Sequence, residues 1–273
     1  MDPATLIGLL LAFGAMFTML YMEGASVSSI LLPAPMIIVF FGTIAVGIAS
    51  GTIGDTILAV KALPSAFRGK LPAARATISK LVELAEVARK DGLLALESEA
   101  REAKDPFLGR ALQSLADGMD GDELRETLED EITTREGTNA IAHKWFSTLG
   151  GYAPTVGIIG TVVSLTHVLE NLSKPDELGH MIAAAFVATL WGLVSANFIW
   201  LPIGSRLRRL SELEIDSMTL VMEGVLAIQG GSQPILLEEK LQAMVPAHVL
   251  GKEPAQEKAS DARAMLDDFK EAA

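Results

Sequence analysis

Thr161 and Thr189 are the residues whose type and setting could do chemistry in an apolar environment. Each sits on a stripe of small side chains. Gly150, Pro154, Gly157, Thr161 and Ser164 recur at steps of 4, 3, 4 and 3, and Ala185, Thr189, Gly192 and Ala196 repeat the device. Such spacing puts residues on one face of a helix. Hydroxyls placed there could hydrogen-bond a partner's carboxylate or help to coordinate a dehydrated cation. A path for protons or cations normally carries an ionisable group inside the bilayer. Here the charge-free runs have no acid or base near their middles, and Glu23, His167 and Glu170 all fall near the outer ends. An ion-conducting role therefore requires a partner to bring the titrating carboxylate. Against this stands the default for a threonine in a membrane helix, a bond back to its own turn's carbonyl.

The elements that position these hydroxyls are long apolar helices. Four runs lack Asp, Glu, Lys and Arg: residues 3–22, 24–54, 145–169 and 181–205. The last two lie back to back within 145–202, separated by the polar hinge ENLSKPDELGH, and each has about the 20 residues needed to cross a hydrocarbon core. They read as a membrane hairpin whose small-residue stripes permit close helix approach, the means by which membrane helices associate without hydrophobic gain. Half of the 273 residues are hydrophobic, yet the net charge is -12, so charge and apolar surface are segregated along the chain. The expected fold class is an all-α membrane protein. It has four transmembrane helices, a helical cytoplasmic domain between helices 2 and 3, and a cytoplasmic C-terminal helical region.

In chain order, residues 1–54 hold the first two spans. The first, from about residue 4 to 22, lacks the positive flank of a secretory signal and reads as retained. Pro33 and Pro35 open the second, where proline is tolerated. Residues 55–68 keep apolar residues on one face and could lie along the inner membrane surface. The cytoplasmic domain, 55–144, has a helix expected from Pro72 with the stripe Ile78, Leu81, Val82, Ala85 and Ala88, stopped at Asp91-Gly92. Two shorter helices meet at Asp105-Pro106. A long helix capped by Asp122 carries Leu124, Leu128 and Ile132 at four-residue steps and continues into the third span. Spans three and four occupy 145–202, amphipathic cytoplasmic helices follow at 203–250, and the tail at 251–273 is expected to be disordered. By default Pro154 is a kink, Pro202 a helix terminator, and Gly157 and Gly160 are packing residues.

Of the 22 Lys and Arg, only Lys174 lies outside 61–144 and the stretch from residue 206 onward. The positive-inside rule then places both stretches, and the N-terminus, in the cytoplasm. Trp145 and Trp200 fall at the cytoplasmic ends of the hairpin, where interfacial tryptophans are expected. The acidic balance argues against nucleic acid as a partner. No cysteine is present, and no His, Asp and Glu spacing resembles a metal site. No nucleophile and base, or paired acids, occur within the spans, so an enzyme is not expected. A substrate transporter would need broken helices at the midplane and internal symmetry.

Taken together, PAPMIIVFFGT, ELAEVARKDGLLALE, YAPTVGIIGTVVSL, AAAFVATLWGLVSANFIWLP and EGVLAIQGGSQP resemble the flagellar motor stator A subunit family (MotA/PomA), related more distantly to ExbB and TolQ. The resemblance covers residues 4–245 in order and spacing. It implies an inner-membrane ring of A subunits, a pentamer, around two helices of a MotB/PomB-like single-span subunit. That partner's intramembrane aspartate supplies the acid missing here. The resemblance puts Pro154 and Pro202 in the places of two prolines that couple ion passage to conformational change, and Thr189 opposite the partner's aspartate. Arg89 and Glu97 match the charged pair that engages the rotor protein FliG; from their own setting they read as a solvated helix face. The transported ion is expected to be H+, with Na+ as the alternative because a hydroxyl at Thr161 resembles the sodium-type pattern. No cofactor is implied. An ExbB/TolQ-like transducer driving an envelope process is the second reading, set back by the usual three spans of that group and its lack of the ARKDGLLALE context.

Overall fold

The structure, a computed structural model, describes residues 4–69, 73–173 and 175–250. The helix start expected at Pro72 and the tail at 251–273 lie outside the described residues. Every regular element among the described residues is helical. α1 is Ala4–Met22 and α2 is Pro33–Ala49, with prolines in its first turn as the missing N–H of proline permits. α3 is Ile53–Arg68. Its start is set by a reciprocal pair, in which the Asp55 amide donates to the Thr52 hydroxyl and the Thr52 amide donates to the Asp55 carboxylate.

The next helices are α4 (Ala74–Asp91), α5 (Leu96–Glu102) and α6 (Pro106–Ala116). Gly92 ends α4 at φ +83°, a conformation that favours glycine. The Asp105 carboxylate accepts the Phe107 amide at 2.9 Å and caps α6. α7 runs without interruption from Gly121 to Glu170, as the continuous pattern of the sequence requires. Its cap is Asp120, whose carboxylate accepts the Asp122 amide at 3.1 Å; Asp122 itself lies in the first turn and does not cap.

α8 (Pro175–Val194) passes through a π-helical turn, Ser195–Trp200, into α9 (Leu201–Gln229). Pro202 therefore does not terminate a helix. α9 ends before Gly231, at φ +72°, and α10 (Pro234–Ala243) and the short α11 (Ala247–Leu250) are the last elements of the described residues.

The chain divides into two units, Met1–Leu71 with Thr134–Leu213, and Pro72–Thr133 with Glu214–Ala273. In the first, α3 buries Ala59 and Ala66 against Ala142, Phe146, Leu149, Ile203 and Leu207 of α7 and α9. Beside that contact Ile53, Ile57, Val60 and Phe67 are exposed, so only part of the broad apolar face of α3 is covered. A separate cluster joins Leu20, Ile30, Val39, Val187, Trp191 and Val194, and the Trp191 indole N–H donates to the Ile30 carbonyl at 2.6 Å.

The second unit is built on one core from α4, α5, α6, the start of α7, the end of α9 and α10. Leu124, Leu128 and Ile132 point into it. On α4 the buried positions are Ile78, Leu81, Leu84 and Ala85, while Val82 and Ala88 are half-buried at its margin. Ile78, Leu81 and Ala85 keep their expected places, and the stripe turns toward Leu84, which is buried where Val82 was expected.

Among the described residues three helices are long and apolar enough to cross a membrane, Thr5–Met22, Gly121–Glu170 and Leu178–Gln229. α2 is apolar but has only 17 residues, a rise of about 25 Å.

Candidate functional site

The two small-residue stripes meet each other. A Cβ on Gly157 would fall 2.8 Å from the Ala188 carbonyl oxygen and 3.1 Å from the Gly192 Cα. One on Gly192 would fall 2.9 Å from the Ala153 carbonyl oxygen and 3.0 Å from the Gly157 Cα. Only glycine at both positions allows this backbone contact between α7 and α8. Gly160 serves packing as well, against Ala188 and Ile38.

One turn along the hairpin from that contact, toward its connecting loop, the hydroxyls of Thr161 and Thr189 are 2.5 Å apart. The Thr161 oxygen also lies 3.1 Å from the carbonyl of Gly157, on its own helix, and 3.0 Å from the carbonyl of Ala185, across the interface. Four oxygens therefore converge with two hydroxyl protons among them. The back-bond expected by default is present, but it competes with two cross-helix partners at equal or shorter distance. This cluster is half-buried and uncharged, and the acids nearest on α7 in sequence, Glu136 and Glu170, are far along the helix from Thr161. The arrangement offers oxygen lone pairs and exchangeable protons, and no group that titrates near neutrality.

Pro154 and Pro202 both sit inside continuous helices. Proline removes the N–H that the carbonyl four residues back would accept, which leaves Gly150 and Phe198 without that donor. At Pro202 the backbone adjusts through the π turn, where the Leu201 amide donates to Ala196, five residues back. Ser195 opens that turn fully buried, its hydroxyl 3.2 Å from the Gly192 carbonyl. Thr43 of α2 is also fully buried, and its hydroxyl meets no partner. A cavity of about 300 Å³ borders the π turn between Gly8 and Ala12 of α1 and Asn197, Phe198 and Pro202. Sequence reasoning missed Ser195, Thr43 and the π turn. The one local signal was a proline following an unbroken apolar run.

Arg89 lies in the last turn of α4, exposed and making no hydrogen bond or ion pair among the described residues. Glu97 lies in the first turn of α5, where it pairs with Arg101. The two are not paired with each other; they flank the corner at Gly92, from which Leu94 projects 71% exposed. Elsewhere in this unit charges are spent internally: Lys80 on Glu99 at 2.8 Å, Arg110 on Glu131, and Glu223 on both Arg125 and Lys240. His143, on the flank of the hairpin, has its pKa lowered by burial and then by Lys144 and Arg208, which favours the neutral ring. Among the described residues no group of three metal-ligating side chains occurs.

Comparisons with known proteins agree on one group. Residues 99–219 match the MotA/TolQ/ExbB proton channel family. The sequence is 36% identical over 252 residues to Motility protein A of Bacillus subtilis (strain 168), covering 90% of this chain and 92% of that one. It is 34% identical over 242 residues to Chemotaxis protein PomA of Vibrio alginolyticus, covering 89% and 94%. The fold resembles a chain of C. jejuni MotAB with a TM-score of 0.87 and 28% identity, over 93% of this chain and 98% of that one. It also resembles a chain of the flagellar MotAB stator complex from Bacillus subtilis, with a TM-score of 0.81 and 33% identity over 90% and 97%.

Proposed function

The chain belongs to the MotA/TolQ/ExbB proton channel family, as a multi-pass flagellar stator subunit of the motility protein A type and not an enzyme, and from that premise we propose how its residues work. The observation that carries the reading is the Thr161–Thr189 hydroxyl pair in a helical hairpin, with no carboxylate among its described hydrogen-bond partners. The carboxylate is an aspartate in the single membrane helix of a MotB-like partner, around which copies of this chain form a ring of five. Protons are the transported ion. They bind the partner's aspartate next to Thr189 and are released to the cytoplasm, and the loss and return of that charge change which packing of the ring is favoured. One elementary charge carries about 2.3 kcal/mol for each ~100 mV of membrane potential, so several ions are needed for a robust stroke.

All four apolar helices cross the inner membrane. The basic stretches at 61–144 and from 206 onward share one side, and the α7–α8 hairpin leaves and returns to it, so α1 and α2 form a second hairpin and both termini are cytoplasmic. The short α2 is accommodated by local thinning or by its packing on α7 and α8, at a modest cost. Pro154 and Pro202 are the flexible turns through which the hairpin changes shape. Arg89 and Glu97, at the α4–α5 corner with Leu94 between them, push on complementary charges of the rotor protein FliG. Surface charges suit attachment and release, since each pair is weak and salt-sensitive.

The test is deletion of this gene alone, with filaments stained and single-cell rotation followed. Intact flagella that do not turn, restored by the wild-type chain and not by Arg89→Glu, are the expected result. Cells that swim normally yet lose uptake or envelope integrity would overturn the stator role and the Arg89 and Glu97 assignments with it.

A further inference from the structure

At the turn between α2 and α3 an open cavity of about 190 Å³ gathers Gly47, Gly51, Asp55, Lys144, Trp145 and Thr148. Its place is set by the charge pattern. Asp55 is the first charge after the run 24–54, and Lys144 is the last before the run 145–169, so the cavity lies at the seam between apolar helix and charged flank. On the Lys- and Arg-rich side of the chain, that seam is the headgroup level of the inner leaflet.

Three donors at this cavity are unspent. Lys144 is exposed and makes no ion pair among the described residues. The Trp145 Nε1 is shielded from solvent yet meets no acceptor. Its neighbouring ring atom Cε2 lies 3.5 Å from where a Cβ on Gly47 would be, with Leu149 nearer still. Thr148 makes no hydrogen bond, whereas Thr138 and Thr166 of the same helix turn their hydroxyls back to the carbonyls four residues before them. A buried donor left unpaired is costly, so a ligand with acceptor oxygens is called for. Asp55 lines the same cavity. Its carboxylate is held in place by the Thr52 amide at 2.9 Å, and that bond and the Thr52 hydroxyl keep its pKa low, so it is ionised. Gly51 keeps the carboxylate's approach open, because a Cβ there would fall 3.2 Å from the Asp55 Oδ2.

We propose that this cavity binds the headgroup of an inner-leaflet phosphatidylethanolamine, its phosphodiester held by Lys144, Trp145 and Thr148 and its ammonium by Asp55. A purely anionic headgroup would satisfy the donors but face the carboxylate; a primary ammonium on a two-carbon arm answers both signs. The acyl chains have apolar surface to follow, since Ile48 and Phe41 of α2 are exposed, 43% and 69%, on the neighbouring face of the helix. The site rests on the membrane orientation proposed above and is independent of which ion is carried.

The experiment uses the full stator complex with its partner subunit, reconstituted in phosphatidylcholine bilayers containing spin-labelled phosphatidylethanolamine or phosphatidylglycerol. Motionally restricted probe is read by electron spin resonance. The wild-type complex is expected to retain the ethanolamine lipid several-fold over the glycerol lipid. Asp55→Asn, which keeps an acceptor for the Thr52 amide, removes that preference, and Thr148→Val with Trp145→Phe lowers retention of both lipids several-fold. Equal retention of the two lipids, a preference for phosphatidylglycerol, or no change in the variants would overturn the proposal. Displacement of the probe by inorganic phosphate or free phosphoethanolamine would also overturn it, by identifying a soluble-anion site. Because lipid retention is read without rotation, its failure leaves the stator test untouched.

Discussion

Gly150 lies against Leu201 so closely that a Cβ on the glycine would fall 2.5 Å from the leucine Cγ and Cδ2 and 3.4 Å from its amide nitrogen. Gly150 is the residue whose carbonyl loses its donor to Pro154, and Leu201 immediately precedes Pro202. The turn weakened by the first proline is therefore packed on the turn that carries the second. Neither can change its backbone without altering the surface the other rests on. Discrete repacking of that kind is what a stepping ring requires.

A methyl group at Gly150 should wedge this contact. Gly150→Ala is expected to cost about 1–3 kcal/mol, the usual penalty of overpacking, and to stop rotation while the complex still assembles. Gly151→Ala adds the same methyl where nothing lies within 4 Å of it in this chain and is expected to be tolerated. Melting of the purified complex and tethered-cell rotation read the two effects separately. Equal behaviour of the two variants would remove the coupling argument.

Thr161→Ala removes one of the two hydroxyls, and Thr189 then keeps its own proton for a partner's carboxylate. Rotation driven by protons should persist in this variant, with torque reduced. Complete loss of torque at every sodium concentration would count against the proton assignment. Thr189→Val, which keeps the shape and loses the hydroxyl, should abolish torque under the same conditions.

Much of this was legible from local pattern. The span at Ala4–Met22, the proline-led start of α2, and the Leu124, Leu128 and Ile132 face all follow from hydrophobic periodicity and cap chemistry. The two small-residue stripes that carry Thr161 and Thr189 were legible from spacing, whereas the contact between the two hydroxyls is seen only in the packed hairpin. What escaped depends on neighbours remote in sequence. Leu84 is buried and Val82 marginal because the core around α4 is built from helices remote in sequence, which the pattern of α4 alone does not encode. Pro202 reads as a stop by a rule that considers only α-helical bonding, and the π turn evades the rule by bonding five residues back. The free indole of Trp145 and the unpaired hydroxyl of Thr43 are visible only once their surroundings are packed.

The core of the second unit gives a prediction independent of ion transport. Leu84 is fully buried, so Leu84→Ala should destabilise by about 2–5 kcal/mol through lost burial and the cavity left behind. Val82→Ala, at the half-buried margin, should cost less than half as much. Reversal of that order in thermal melts of the complex would mean that Leu84 is not the deeper of the two in this core.

Glu223 ties three helices of that unit, accepting from Arg125 of α7 at 2.9 Å and Lys240 of α10 at 2.8 Å while itself on α9. The Lys240 ammonium, then the Arg125 guanidinium, hold its carboxyl below the usual range, with partial burial opposing them. A folded pKa below the unfolded one means that the native state resists protonation. The stability from this pair of contacts is complete above the unfolded value, about 4.3, and is lost as pH falls through the folded value. The wild-type complex should therefore lose melting temperature on acidification below about pH 4. Glu223→Gln should lower stability near neutral pH by about 2 kcal/mol, the scale of hydrogen bonds to charged groups, and should flatten that acid dependence. The glutamine still accepts one bond, so Arg125 and Lys240 compete for it. An unchanged acid slope in Glu223→Gln would assign the pH sensitivity to other carboxylates and leave Glu223 as a surface contact.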